Sequence, residues 1–257
     1  MIFSPLEQFS ILRLIPLGIG PFDISFTNSA FFCFLAIGFF LLLCTITTDQ
    51  GGKINPSHWQ LVVESIYSFV VSMVQGQLGY QGNRYLPMLF TLFCFLASVN
   101  LIGMIPYAFT GTSHLAVTIS FSFSFFLGVT FIGFYRHGLH FFSLFFPPGA
   151  PLALAPLLVV LEIVSYSFRG ISLGVRLFAN MIAGHTLVKI LCGFSWAILG
   201  RGFILSLGSV LPFGVVVALT GLEFMVGALQ AYVFCVLLCI YLNDAENLHL
   251  HLKRCLL

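Results

Sequence analysis

Long apolar stretches without alternating polar positions are the feature that most constrains the fold of this chain. Hydrophobic residues make up 59% of its 257 residues and charged residues only 7%, against about 25% charged in a typical soluble domain. So few charges cannot cover a water-facing surface, and the continuous apolar runs lack the period-two pattern of a membrane β-barrel. The sequence therefore predicts an all-α integral membrane protein, with room for about five or six spans of about 20 residues.

Three of the apolar stretches, 30–47, 86–107 and 115–135, have the length and composition of simple transmembrane helices. The stretch 57–75 differs, because its apolar residues recur at helical spacing with polar residues between them. This pattern predicts an amphipathic helix on one membrane face. A short buried span is the alternative for the same stretch.

Two longer apolar stretches, 157–190 and 203–242, predict a hairpin of long helices with a hinge at 191–202. At about 1.5 Å per residue the first would be about 50 Å long, more than the roughly 30 Å hydrocarbon layer, so it must tilt strongly, bend or leave the membrane. The rest of this single membrane domain, 1–257, is read as an extended or short interfacial segment, 1–27, and a polar tail, 243–257.

Ionisable residues recur at regular spacing in the first long stretch. Glu162, Arg169 and Arg176 are seven residues apart, and seven residues return to nearly the same face of a helix. Asn180 follows Arg176 one turn later. We define this set as the first polar stripe.

The second long stretch has the same kind of spacing. Its polar residues Glu223, Gln230 and Asp244 are separated by seven and fourteen residues, and we define them as the second polar stripe. A charge near the middle of a membrane helix costs at least a few kcal/mol. Two matched stripes therefore favour a path for ions over polar ladders that only hold two helices together, a role that small residues could also fill.

His185 departs from the first stripe, because nine residues beyond Arg176 is about half a turn out of phase. An imidazole exchanges protons near neutral pH, so a histidine beside a carboxylate is suited to relay them. Glu223 is the candidate partner if the hairpin packs antiparallel. The alternative is a histidine bonded to a backbone carbonyl.

Small residues at four-residue spacing, Gly170 with Gly174 and Ala179 with Ala183, indicate a close helix contact. Either they pack against another helix of this chain, or they form a smooth face along which the helices of another protein slide. The sequence alone leaves both interpretations open.

Several functional classes are excluded by missing residues. His185 is the only deep histidine, whereas membrane haem needs facing pairs. His137 with His140 and His249 with His251 lack acidic or cysteine companions at metal-ligand spacing. There is no phosphate-binding loop, and a net charge of +2 is too small to favour nucleic acid. We therefore expect no cofactor, no metal and no nucleic acid.

The motifs around these residues resemble subunit a of the F-type ATP synthase, in its mitochondrial branch. The resemblance covers nearly the whole chain and is carried by LGVRLFANMIAGH at 173–185, LEI at 161–163, LEF…LQAYVF at 222–234, NLIGMIPY at 100–107, TSHL at 112–115, YLNDAENLH at 241–249 and SPLEQF near the start.

The resemblance implies roles for the residues of both stripes. Arg176 would face the carboxylates of a rotating c-ring and separate two offset half-channels. The half-channel from the intermembrane space would be lined by His185, Glu223, Asn180 and Gln230. The half-channel to the matrix would be lined by Glu162 and Asp244, with Arg169 as a candidate support.

The resemblance also implies a setting. The chain would be a non-catalytic, proton-conducting stator subunit in the mitochondrial inner membrane. Its partners would be protons, the lipid bilayer, the c-ring, the peripheral stalk and other small membrane subunits.

Two other functions use the same buried charges. A stand-alone proton-coupled secondary transporter is one, although that class shows paired internal repeats and the two long stretches show none that is clear. A structural subunit of a respiratory complex is the other, and it predicts that the buried charges are dispensable.

Overall fold

The computed structural model describes residues 4–16, 18–19, 22–23, 25–48, 56–105, 108–145, 155–199 and 208–246. In these ranges six helices are long and apolar enough to cross a membrane, which confirms the predicted all-α membrane class. They are α1 (Asn28–Thr48), α2 (His58–Leu78), α3 (Leu86–Gly103), α4 (Leu115–His137), α5 (Ala155–Leu199) and α6 (Val210–Glu246).

The described part of the N-terminal segment is extended, apart from one short 3-10 helix at Pro5–Phe9. Its strands form two small antiparallel pairs: β1 (Arg13–Ile15) with β4 (Phe26–Thr27), and β2 (Gly18–Ile19) with β3 (Phe22–Asp23). The Asn28 side chain accepts a hydrogen bond from the Leu12 amide and donates one to the Ser10 carbonyl. These bonds fasten the segment to the start of α1.

Three predicted boundaries are wrong. The expected hinge does not begin at 191, because α5 continues to Leu199; a lone Gly193 is tolerated inside a helix. The expected polar tail does not begin at 243, because α6 continues to Glu246. The span expected to end at 107 ends at Gly103, since residues ahead of Pro106 are biased away from helical geometry. Residues 200–207 and 247–257 lie outside the described residues.

Helix α2 follows its predicted stretch closely and begins with a side-chain cap, in which Ser57 Oγ accepts a hydrogen bond from the Gln60 amide. It packs against α3 and α6 through Val70, Met73 and Val74. Because α2 also has the length and hydropathy of a span, its position on a membrane face stays a prediction.

The core lies where α2, α3, α4, α5 and α6 meet, and it is built mainly from leucine and valine side chains. Fully buried members include Val70, Leu89, Leu96, Leu177, Phe234, Leu238 and Leu242. In lipid such a core is held by close packing and interhelical hydrogen bonds rather than by exclusion of water.

The two glycines of the first long stretch pack against α4 of the same chain. A Cβ at Gly170 would lie 2.9 Å from Phe126, and one at Gly174 would lie 2.8 Å from the Thr118 carbonyl oxygen. Ser122 Oγ also donates a hydrogen bond to the Gly170 carbonyl. This pair of glycines therefore serves helix packing inside the chain, and is not a sliding face.

Candidate functional site

Polar side chains join α5 to α6 at three levels. Each pair steps forward along one helix and backward along the other, so the two long helices are antiparallel, as predicted. The pairs are His185 with Glu223, Asn180 with Gln230, and Arg169 with Asp244.

The middle pair is a neutral hydrogen bond, in which Asn180 Nδ2 donates to Gln230 Oε1 over 3.0 Å. Gln230 is buried, with 3% of its surface exposed. Its Nε2 makes no hydrogen bond to any residue that the structure describes. A buried amide donor normally has a hydrogen-bond partner. This level of the helix contact is therefore polar enough to bind a water molecule.

The third pair is an ion pair at the far end of α6. Arg169 donates from one guanidinium nitrogen to Asp244 Oδ2 over 3.2 Å, and its guanidinium carbon lies 5.7 Å from the centre of the Tyr241 ring. Both charged side chains are partly exposed, at 35% and 26%. This level is therefore partly open to its surroundings.

Arg176 lies between the second and third pairs but contacts neither. Its side chain is exposed, and within the described ranges it has no ion-pair or hydrogen-bond partner. Between Gln230 and Asp244 the sequence of α6 contains no acidic residue. The part of α6 opposite Arg176 therefore offers no carboxylate to its guanidinium.

The stripes are thus not matched to each other as the spacing suggests. The second stripe meets His185, Asn180 and Arg169, whereas Arg176 points outward. Glu162 is half-buried on α5 and, in the described part of the chain, is not in contact with a basic group. Seven-residue spacing fixes the face of one helix, but which residues meet depends on how the two helices cross.

His185 contacts a different element through each ring nitrogen. Nδ1 lies 3.1 Å from Glu223 Oε1 on α6, and Nε2 lies 3.0 Å from Thr110 Oγ1, in the loop before α4. The first contact has the distance of an ion pair but not the direction of a linear hydrogen bond. The two side chains are only 17% and 10% exposed, and the contact becomes an ion pair only when the imidazole is protonated. The alternative of a histidine bonded to a backbone carbonyl is wrong.

Two further residues shape the surroundings of this pair. A Cβ at Gly184 would lie 2.8 Å from Glu223 Oε1, so the glycine lets the carboxylate approach the α5 backbone. The Phe9 ring meets the His185 ring edge-on, with centroids 6.4 Å apart. Sequence reasoning missed Thr110, Gly184 and Phe9, because none carries a charge or falls on a polar stripe.

A second polar cluster, also missed from the sequence, fastens the end of α6. Glu246 Oε1 accepts a hydrogen bond from the Tyr85 hydroxyl over 2.5 Å and lies 3.0 Å from an Arg136 guanidinium nitrogen. Burial, reinforced by the bond to Glu246, raises the pKa of Tyr85. The cluster joins the ends of α3, α4 and α6 and explains why α6 stays helical beyond 242.

Together these features define a class: a multi-pass helical membrane protein with ionisable and polar side chains aligned between two antiparallel helices. Comparison with known proteins narrows the class. The family model described as ATP synthase A chain matches residues 30–243.

Full-length relatives agree with that match. Proteins named ATP synthase subunit a are 56% identical in Marchantia polymorpha, over 97% of this chain and 100% of the relative, and 55% identical in Brassica napus, over 96% and 97%. The protein of that name in Chondrus crispus is 47% identical over 97% and 98%. This chain belongs to the ATP synthase A chain family, the proton-translocating stator component of the membrane sector, and the predicted resemblance is confirmed.

Proposed function

We propose that this chain carries protons through two offset half-channels separated by Arg176, and that it is not itself catalytic. The observation that carries the proposal is the outward-facing Arg176 between two levels of paired polar residues. An unpaired guanidinium at membrane depth is costly, so its counter-charge is expected from another subunit. A carboxylate on each subunit of a rotating c-ring is that counter-charge.

The entry half-channel is formed by His185 and Glu223, with Asn180 and Gln230 one level deeper. The support for this assignment is their continuity, because the His185–Glu223 pair and the amide pair occupy neighbouring levels of the same helix contact. Carboxylate and imidazole can each take up and release a proton. The amide pair conducts by orienting water, because neither amide ionises near neutral pH.

The exit half-channel is formed by Asp244 and Glu162, with Arg169 holding Asp244 in place through their ion pair. Glu162 lies seven residues before Arg169 on the same face of α5. Two carboxylates in line give a departing proton successive acceptors. A neutral substitute at Asp244 would also leave Arg169 without its acid.

Arg176 acts by its charge. Its guanidinium stays protonated at every relevant pH, and an opposite charge nearby favours the ionised form of a carboxylate. A ring carboxylate that arrives beside Arg176 therefore releases its proton to the exit half-channel. The same positive charge repels protons, which prevents direct passage between the half-channels.

Each proton crossing the field yields about 2.3 kcal/mol per 100 mV. Only a proton that travels with the ring delivers this energy to rotation.

The proposed location of the chain is the mitochondrial inner membrane, with the c-ring, the peripheral stalk and small membrane subunits as partners. The identified relatives in plants and algae support this setting.

Proton-driven ATP synthesis by the assembled complex tests the proposal. We expect Arg176→Ala to abolish coupled synthesis, and Glu223→Gln to reduce proton flux strongly. Glu64→Gln is the matched control, because Glu64 is an exposed acid on α2 and its change should leave synthesis unaltered. Undiminished synthesis in the Arg176→Ala complex would refute the proposal.

A further inference from the structure

A buried turn between α3 and α4 contacts the His185 and Glu223 pair from one side. Thr110, Thr112 and Ser113 are each at most 5% exposed, and all three hydroxyl groups are hydrogen-bonded. Thr112 donates to Asn100 Oδ1, and Ser113 donates to the Thr110 carbonyl. The turn is therefore a fixed part of the core, although the sequence reads as an ordinary polar loop.

The Thr110 hydroxyl has one proton and two neighbours. It donates to the Gly103 carbonyl over 3.2 Å and lies 3.0 Å from His185 Nε2. Gly103 is the last residue of α3, where helix carbonyls lack the amide partner that the next turn would supply. Leaving such a buried acceptor unpaired is costly, so the carbonyl takes the Thr110 proton.

This hydrogen bond determines which nitrogen of the His185 imidazole carries the hydrogen. Since the Thr110 oxygen has given its proton to Gly103, it can only accept from His185, and Nε2 must carry a hydrogen. In the neutral ring only one nitrogen carries hydrogen, so Nδ1 then carries a lone pair and lies 3.1 Å from Glu223 Oε1. Two acceptors at this distance repel each other until one proton lies between them.

We propose that Thr110 is a positioning residue, which fixes the His185 proton on Nε2 and thereby makes the Nδ1–Oε1 gap the proton-accepting position of the entry half-channel. This inference rests on the proposed function. Uptake transfers one proton from water to Nδ1 or to Oε1, and the pair changes from a net charge of −1 to neutral. Release reverses the step, and no other group is oxidised or reduced.

On the elements packed around the imidazole, the ionisable groups nearest to it along the chain or across the contact are Glu223 on α6, Lys189 one turn along α5, Glu7 on the N-terminal 3-10 helix, and His114 at the start of α4. The other charges of α5 and α6 lie further along the two helices, beginning with Arg176, nine residues before His185, and Asp244, 21 residues beyond Glu223. Of these, only Glu223 contacts the ring among the described residues. The proton affinity of the position is therefore governed by the Glu223 carboxylate and by which ring nitrogen Thr110 leaves free.

Without the hydroxyl the ring can turn its single N–H toward Glu223. The unprotonated pair then holds a hydrogen bond in place of two adjacent acceptors without a proton, so its affinity for a further proton falls. The expected fall is about tenfold, equivalent to about one pH unit, as for the loss of one hydrogen bond.

The experiment measures proton-driven ATP synthesis by the intact complex in vesicles, as a function of the pH on the entry side at fixed pH opposite and fixed potential. Thr110→Val should shift the half-maximal rate to lower pH by about one unit, whereas Thr110→Ser should restore the original profile. Thr110→Ala replaces the valine variant if that complex does not assemble, because it adds no atoms.

Thr112→Val is the matched control, since Thr112 lies in the same turn but donates to Asn100 instead of His185. A pH profile unchanged in Thr110→Val, or shifted equally in Thr112→Val, would overturn the inference. The Glu223→Gln variant distinguishes a failure of the Thr110 inference from a failure of the proposed entry half-channel. If that variant loses flux while Thr110→Val keeps the original profile, only the role of Thr110 is refuted; if Glu223→Gln keeps full flux, the entry half-channel itself is refuted.

Discussion

His185 holds together three parts of the chain through one ring. Its contacts run to α6 through Glu223, to the α3–α4 turn through Thr110 and to the N-terminal segment through Phe9. A group with this many fixed neighbours loses little rotational freedom on taking a proton, so it is already oriented for transfer. At the residue scale, the orientation of His185 therefore depends on side chains that carry no charge, such as Thr110 and Phe9.

A substitution at Gly184 tests whether an uncharged position controls the contact between His185 and Glu223. Alanine there would place a methyl group 2.8 Å from Glu223 Oε1, which forces the carboxylate away from α5 and lengthens its contact with His185. We expect Gly184→Ala to lower proton flux several-fold in assembled complex, because proton transfer needs hydrogen-bond reach. Gly193→Ala is the control on the same helix, as its Cβ would meet no atom of the described residues within 4 Å. Equal flux in both variants would contradict this account of Gly184.

His114 provides a pH-dependent prediction. Burial lowers the pKa of His114 below its ordinary value of 6.5, and its ring stacks on Phe109 at 5.3 Å. The unfolded chain binds this proton more readily, so the stabilising contribution is present above pH 6.5 and is lost as pH falls through the lowered folded-state pKa. Thermal unfolding of the complex should therefore be less acid-sensitive in His114→Phe, which keeps the stacking. If the unfolding temperature of the His114→Phe complex fell with decreasing pH as steeply as that of the parent, this role of His114 would be contradicted.

Helix α5 is the dominant element, since its 45 residues extend about 68 Å at about 1.5 Å per residue. One side packs against α4 through Gly170 and Gly174, and another side meets α6 through the three polar pairs. The glycine contact fixes the rotation of α5 about its own axis. Arg176 faces outward as a result of that rotation.

Enlarging Gly174 should disturb this arrangement. The Cβ of a valine there would lie 2.8 Å from the Thr118 carbonyl oxygen and so clash with the backbone of α4, and overpacking of this kind costs about 1–3 kcal/mol. We expect Gly174→Val to lower the thermal stability of the complex and to reduce coupled synthesis. Gly128→Ala, on α4, should change neither quantity, because in the described part of the chain no atom lies within 4 Å of the added Cβ. Unaltered stability in Gly174→Val would show that the contact does not hold α5.

Much of this element-level picture could be predicted from the sequence. The length of the apolar stretches predicts the helices, and the seven-residue spacing of Glu223, Gln230 and Asp244 predicts that they share one helix face. The pairing of His185 with Glu223 also follows from the sequence, given an antiparallel hairpin. The partners of Gln230 and Asp244 could not be assigned in the same way, because Asn180 and Arg169 meet α6 through a crossing that local spacing does not encode. The end of α6 escapes prediction for a related reason, since Glu246 is held by Tyr85 and Arg136, which are distant in sequence.

At the scale of the whole molecule, large apolar side chains cover much of the surface. Phe34, Phe131, Trp196 and Leu211 are each at least 65% exposed, as expected where hydrocarbon or neighbouring subunits replace water. Arg176 is exposed against this apolar background. Such a charge needs a counter-charge, and under the proposed function a carboxylate of the rotating ring supplies it at each step.

Proton conduction through the membrane sector with rotation blocked tests the central claim most directly. Reconstituted vesicles would carry complex whose ring carboxylates have been chemically modified, and the decay of an imposed pH gradient would be followed. The account predicts that the parent complex is then impermeable, whereas Arg176→Ala leaks, because nothing else separates the half-channels. An Arg176→Ala complex that assembles fully, stays as impermeable as the parent under the block and still makes ATP would contradict it.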